Sequence, residues 1–243
     1  MPCCLSSASR AWRHTAGASL ARTLGSEGRS ESVPDMMTKR SLPLFGVAAS
    51  LPLFALAIAC YPGGNDWDAS AAGFRFTQNY LCALFQPLAI NGLENASRKF
   101  ATPAIIVYCV SLAYMFWAVS RECQERVTRK LIEIFGIGSM VYTCLGVNTP
   151  MHDLLVIIAA AFYGIAAIGM LRMLHATQRL VGVLTGSLSL ALLIALAAMR
   201  HAGIRPDLAP ITEWLLFALA TGWLVVVYYS VTAPNKAVNG SRR

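Results

Sequence analysis

Six stretches of this chain carry no Asp, Glu, Lys or Arg and are each about as long as a bilayer core is thick: Ser41 to Asn65, Phe100 to Ser120, Ile134 to His152, Leu154 to Leu171, Leu180 to Met199 and Trp214 to Asn235. A helix rises about 1.5 Å per residue, so about 20 apolar residues cross about 30 Å of hydrocarbon. Helices are the form such stretches must take, because every backbone polar group in lipid has to be satisfied within the segment. The ten-residue alternation of a membrane β-barrel is absent from the sequence. Composition agrees. Hydrophobic residues make up 56% and charged residues 13%, well below the roughly 25% that a soluble domain carries. The expectation is an all-α, polytopic transmembrane bundle of six helices.

A seventh uncharged window, Phe76 to Leu93, decides the topology. It holds Thr77, Gln78, Asn79, Gln86, Pro87, Asn91 and Gly92, too polar for a span. Phe76, Tyr80, Leu81, Leu84, Phe85 and Leu88 recur at helical spacing, which predicts a short interfacial helix in the first outer loop, or one packed across the bundle mouth. Charge supports leaving it out. With six spans and both termini cytoplasmic, 15 Lys and Arg lie inside against 5 outside, whereas seven spans give 10 against 10. Trp117, Tyr228 and Tyr229 near the inner ends, and Tyr61, Trp67 and Trp214 near the outer ends, suit aromatic belts. Trp223 lies mid-helix and reads as packing bulk.

Residues 1–40 are Ser- and Arg-rich with no acid before Glu27. They read as a disordered tail, a transit peptide, or a misassigned N-terminal extension with translation starting at Met36 or Met37, and the last is favoured. Met-Met-Thr-Lys-Arg running into Ser41 is how a bacterial inner-membrane protein often starts, and without residues 1–35 the balance is still 11 against 5. The membrane domain then covers residues 41–232, followed by a basic cytoplasmic tail, 233–243. The net charge of +8 sits beside apolar runs, which suits anionic lipid and not nucleic acid.

The seven cysteines show neither Cys-x-x-Cys nor Cys/His ligand spacing. Cys60 and Cys82 share the outer side and would pair only in an oxidising compartment. Asn95-Ala-Ser97 is an outer-side sequon, relevant in a eukaryotic host. Glu133 lies three and four residues from Lys130 and Arg129, ordinary helix-surface pairing. Pro52 is expected to kink the first span. Gly182 with Gly186, and Ala160 with Gly164, are small-xxx-small pairs that let helices approach closely within the chain or between copies, so a homo-oligomer stays open.

The polar chemistry gathers outside. Asn148-Thr-Pro-Met-His-Asp153 joins the third and fourth spans and puts an imidazole and a carboxylate at the bundle rim. His152 and Asp153 are candidate catalytic residues, since histidine serves as base, proton shuttle or metal ligand near neutral pH. Asp153 is equally explained by the dipole of the helix it begins, as is Glu213 at the last span. Asp66, Asp68, Gln78, Asn79, Asn148, His201 and Glu213 are candidate ligand-binding residues, and His152, His201 and Asp66 candidate metal ligands. Asp66 and Asp68 also suit simple turn chemistry.

Asn79-Tyr-Leu-Cys-Ala-Leu84, together with Pro150-Met-His-Asp153, resembles the bacterial multipass membrane family called domain of unknown function 998, whose layout is similar to six-span proteins of the Frag/DRAM type. The resemblance covers about residues 40–232. The family pattern has an Asn and then Ser-x-Leu-Gly in the first outer loop, and a His after a Pro before a later helix. Cys82 stands here in place of the Ser and Phe85 in place of the Gly, which removes the hydroxyl at that position. The resemblance implies architecture and no particular reaction or cofactor.

Three function classes follow. A non-enzymatic integral membrane protein, with lipids as partners and lipid or small-ligand binding on the outer side, fits spans whose centres carry no ionisable residue. A membrane-embedded hydrolase-like enzyme would use His152 as base or metal ligand with Asp153, Asp66 and Asp68 assisting, and His201 completing any metal site. A channel or transporter would need more than Thr143, Asn148, Thr185, Ser187, Ser189 and Thr221, and no inverted repeat is visible.

Overall fold

The computed structural model describes residues 33–147, 149 and 151–233. The described residues are helical apart from turns and two isolated bridges. The helices are α1 (Val33–Ala59), α2 (Arg98–Arg121), α3 (Arg126–Lys130), α4 (Gly136–Gly146), α5 (His152–Ala176), α6 (Leu180–His201) and α7 (Ala209–Val231). Most of the extension, residues 1–32, lies outside the described residues, as do Asn148, Pro150 and residues 234–243.

Five helical stretches are long and apolar enough to cross a membrane: Arg40–Ala59, Arg98–Arg121, His152–Ala176, Leu180–His201 and Pro206–Val231. The sixth window takes another form. A π-helical turn, Leu131–Phe135, joins α3 to α4, so the helical run extends from Arg126 to Gly146, beginning before the Ile134–His152 window and ending before it does. Close packing accompanies the wider turn. Ile132 is fully buried against Gly169 of α5, and a Cβ on Gly136 would strike the Phe116 ring of α2. Lys130 pairs with Glu133 at 3.3 Å.

Helices α2, α4, α5, α6 and α7 each touch the next, and α7 returns to α2, closing a ring. Residues Arg40–Ala59 of α1 pack outside it, against α2 and α7. Gly46 faces Ser111, and Phe54 meets Tyr108 and Phe217 edge-on at 6.3 and 6.0 Å. Arg40 Nη2 donates to Tyr229 O at 2.6 Å, and Tyr228 OH donates back to Arg40 O at 2.9 Å. Pro52 sits inside an uninterrupted α1.

The glycines of α6 are used within the chain. Gly182 faces Leu174, and Gly186 lies against the indole of Trp223, whose Nε1–H donates to Gly182 O at 2.8 Å. Trp223 is therefore a packing residue, held by the hydrogen bond that a buried indole needs.

The loop between α1 and α2 folds over one end of the ring. The helical spacing read across Phe76–Leu88 is realised only as a 3-10 helix, Leu81–Phe85. Side chains compete for the backbone before it. Asn79 Oδ1 accepts from Arg75 N–H at 2.9 Å, and Asn79 Nδ2 donates to Gly64 O at 2.7 Å. Gly63 and Gly64 hold positive φ of 136° and 87° in the crowded turn beneath. Asn95 Nδ2 donates to both Ala83 O and Gln86 O at 2.9 Å, and Ser97 Oγ donates to Leu84 O at 2.9 Å. Asn95 of the sequon is thus buried and engaged. Cys60 and Cys82 are separate free thiols.

Candidate functional site

A cavity of about 480 Å³ lies inside the ring under this loop. Its wall along α7 runs from Glu213 to Leu224, eleven helical rises or about 16 Å. Its α2 wall, from Ile105 to Phe116, has the same length. The roof is Leu81, Cys82 and Phe85 of the 3-10 helix.

The cavity has two chemically distinct ends. At the loop end stand Cys82, His152, Asp153, Arg200, His201 and Glu213. Deeper, the wall is apolar, and the hydroxyls on it are engaged by protein. Tyr108 OH pairs with Thr221 Oγ1, which donates to Phe217 O at 2.6 Å. Tyr163 OH pairs with Ser189 Oγ at 2.6 Å. Ser139 and Thr143 donate to carbonyls of their own helix at 2.7 and 2.8 Å. A hydroxyl already bonded in a dry wall gives an apolar ligand little to desolvate.

Each polar group at the loop end is placed by its element. His152 is the first residue of α5, and its Nδ1 lies 3.1 Å from Gly146 O at the end of α4. A carbonyl oxygen can only accept, so Nδ1 is the donor in this contact. Asp153 lies in the first turn of α5, where the helix dipole favours it. Glu213 differs from expectation. Helix α7 starts at Ala209 and has no acid in its first turn, so the dipole does not account for it. Its Oε2 instead accepts the Leu81 N–H at 3.0 Å, tying the roof to α7. The adjacent Trp214 Nε1–H donates to Asn79 O at 3.1 Å. Burial pushes the Cys82 thiol up to about 12, so it stands in the roof as a neutral group.

The other candidates separate from this site. Asp66, Gln78 and Asn79 line a second cavity of about 120 Å³ inside the loop. Asn79 is consumed by turn bonds, and Gln78 Oε1 accepts from Asn65 Nδ2 at 3.1 Å. Asp68 is exposed, and its bond from Ser70 Oγ at 2.6 Å holds its carboxyl below the usual range. Asn148 lies outside the described residues. Among the described residues no three His, Cys, Asp or Glu side chains gather to hold a metal ion, and Asp66 is apart from His152 and His201.

Arg200 is the residue that sequence reasoning passed over. Its guanidinium lies 4.6 Å from the centroid of the Tyr80 ring. The available signal was a basic pair, Arg200-His201, ending a helix otherwise free of charge. No family model matches the chain, and neither curated proteins nor solved structures give a match.

Proposed function

We propose that this chain is a multi-pass membrane protein that binds a single-chain amphiphile, its head at the polar loop end and its tail along the apolar wall. The observation that carries this reading is the two-ended cavity, charged at its mouth and lined below by hydroxyls already engaged. Pockets of 300–1,000 Å³ suit small ligands, and about 16 Å is roughly half of a 30 Å hydrocarbon core.

Six crossings are part of the proposal. The Arg126–Gly146 run is 21 residues of continuous helix and takes its place in the ring between α2 and α5. The excess of Lys and Arg then favours both termini in the cytoplasm, the loop facing outward, and a bacterial inner membrane as host. The family we propose remains domain of unknown function 998, on Asn79–Leu84 and Pro150–Asp153.

The test is lipid mass spectrometry of detergent-purified protein, comparing the parent with Ala159→Phe and Ala220→Phe, which fill the cavity. Stoichiometric amphiphile in the parent, lost in a variant that keeps its melting temperature, is the expected result. A parent that carries none after incubation with mixed lipid overturns the proposal. A second reading, hydrolysis of an amphiphilic ester, rests on the imidazole of His152 and the carboxyl of Glu213 lining one cavity. It requires that His152→Gln abolish ester turnover while amphiphile still binds.

A further inference from the structure

The wall of the cavity is unevenly sealed. The exposed residues that line it are Asp153, Val156 and Ile157 of α5 and Ala197, Arg200 and His201 of α6. The other lining residues are buried or half-buried, Leu112 of α2 being 4% exposed and Phe116 1%, against 39% for Val156 and 46% for Ile157. The cavity surface alone therefore does not create that exposure.

Helices α5 and α6 pack closely in their other halves. Gly182 meets Leu174, Gly186 meets Leu171, Tyr163 bonds Ser189, and Gly164 faces Leu190 and Leu193. In an antiparallel pair, Gly164 level with Leu193 brings Ala160 level with Ala197 and Val156 level with His201. The exposed lining residues begin at that level. Over the end of the ring, by contrast, the roof is closed, with Leu84 and Phe85 buried.

We propose that the gap between the loop-side thirds of α5 and α6 is a lateral entrance, and that its occupant is one acyl chain of a phospholipid whose other chain stays in the adjoining leaflet. The proposal rests on the amphiphile reading above and deepens it by naming the source. Three observations select an acyl chain. The flanks of the gap, Val156, Ile157 and Ala197, are apolar. The depth of about 16 Å accepts roughly thirteen bonds of an extended chain at about 1.2 Å per bond. The donors of Arg200 stand at the end of the gap where a phosphate headgroup would lie.

The test uses the full chain reconstituted in palmitoyl-oleoyl phosphatidylcholine vesicles containing phosphatidylcholine with a diazirine at the end of one acyl chain. After photolysis, label is mapped by peptide mass spectrometry on the inner-wall residues Leu112, Phe116 and Leu224, with exposed Val110 as the control for annular lipid. Ala197→Trp and Ile157→Trp narrow the gap from its two sides, so failure of one variant to fold leaves the other. Inner-wall label in the parent that falls about tenfold in a folded variant, with Val110 label unchanged, is the expected result. Equal inner-wall label in the parent and both variants overturns the lateral entrance. If the inner wall takes label only from a diazirine octanoate added from water, the entrance is overturned and the amphiphile reading survives. If neither probe labels it, both fall.

Discussion

Gly186→Ala tests the ring through its tightest helix contact. A Cβ there would lie 2.5 Å from Trp223 Cε2 and 2.9 Å from Leu171 Cδ2, well inside ordinary carbon contact. The indole has little freedom to retreat, because it is buried and its N–H is bonded to Gly182 O. Overpacking of this kind costs about 1–3 kcal/mol, and a displaced indole forfeits a hydrogen bond worth about 1 kcal/mol. Gly→Ala in a helix returns about 1 kcal/mol of propensity, so the expected net loss is about 1–3 kcal/mol. Gly222→Ala on α7 is the matched control, since a Cβ there meets nothing within 4 Å. Reversible unfolding of the purified protein in mixed micelles, titrated with dodecyl sulfate and followed by tryptophan fluorescence, measures both. The two variants are expected to differ by about 1–4 kcal/mol, the control being neutral or slightly stabilised. Equal stability of Gly186→Ala and Gly222→Ala would refute the packing argument.

The loop offers three more tests. Cys82 is raised from 9.0 to about 12 by burial, so at pH 8 it holds about a thousandfold less thiolate than a free cysteine, and its alkylation in the folded protein is expected to lag by that factor. The folded chain keeps this proton while the unfolded chain releases it above pH 9, so raising the pH from 9 toward 12 weakens folding; rapid native labelling at pH 8 would contradict the assignment. Asn95→Ala removes the amide that donates to Ala83 O and Gln86 O and is expected to cost about 1–3 kcal/mol, while the folded parent expressed in a eukaryotic cell gains no glycan there. Glu213→Leu strips the acceptor from Leu81 N–H and is expected to speed hydrogen exchange at Leu81, whereas Glu213→Gln, which keeps an acceptor oxygen, restores protection.

The spans were legible where apolar length alone decides the outcome. Windows starting at Phe100, Leu154 and Leu180 correspond to α2, α5 and α6 within a turn or so at their starts. The third window runs past Gly146 because a charge-free stretch cannot follow a helix that carries Arg126, Arg129, Lys130 and Glu133. A π turn has no periodicity signal of its own. Trp223 as packing bulk followed from its mid-helix position, and its partners in α6 give it the predicted role. His152 and Asp153 were legible as a rim pair because a short connection confines them. The position of Glu213 near a helix start suggests a dipole contact, whereas its role depends on a backbone amide 132 positions away in sequence. Asn79 lines the small cavity of the loop, and its turn bonds to Arg75 N–H and Gly64 O are not visible in sequence, because they depend on how the loop folds back on itself.

The two bonds that tie Leu81 of the roof and Asn79 just before it to α7 end on neighbouring residues, Glu213 and Trp214. Paired tethers this close fix both position and orientation, so the 3-10 helix and the start of α7 form one stiff piece with no joint between them. No such cross-braces join α5 to α6 beyond Gly164 among the described side-chain hydrogen bonds. Compliance is therefore directional: load on the bundle is resisted at its end and yields at its flank, so widening the gap between α5 and α6 leaves the cover and its anchor in register.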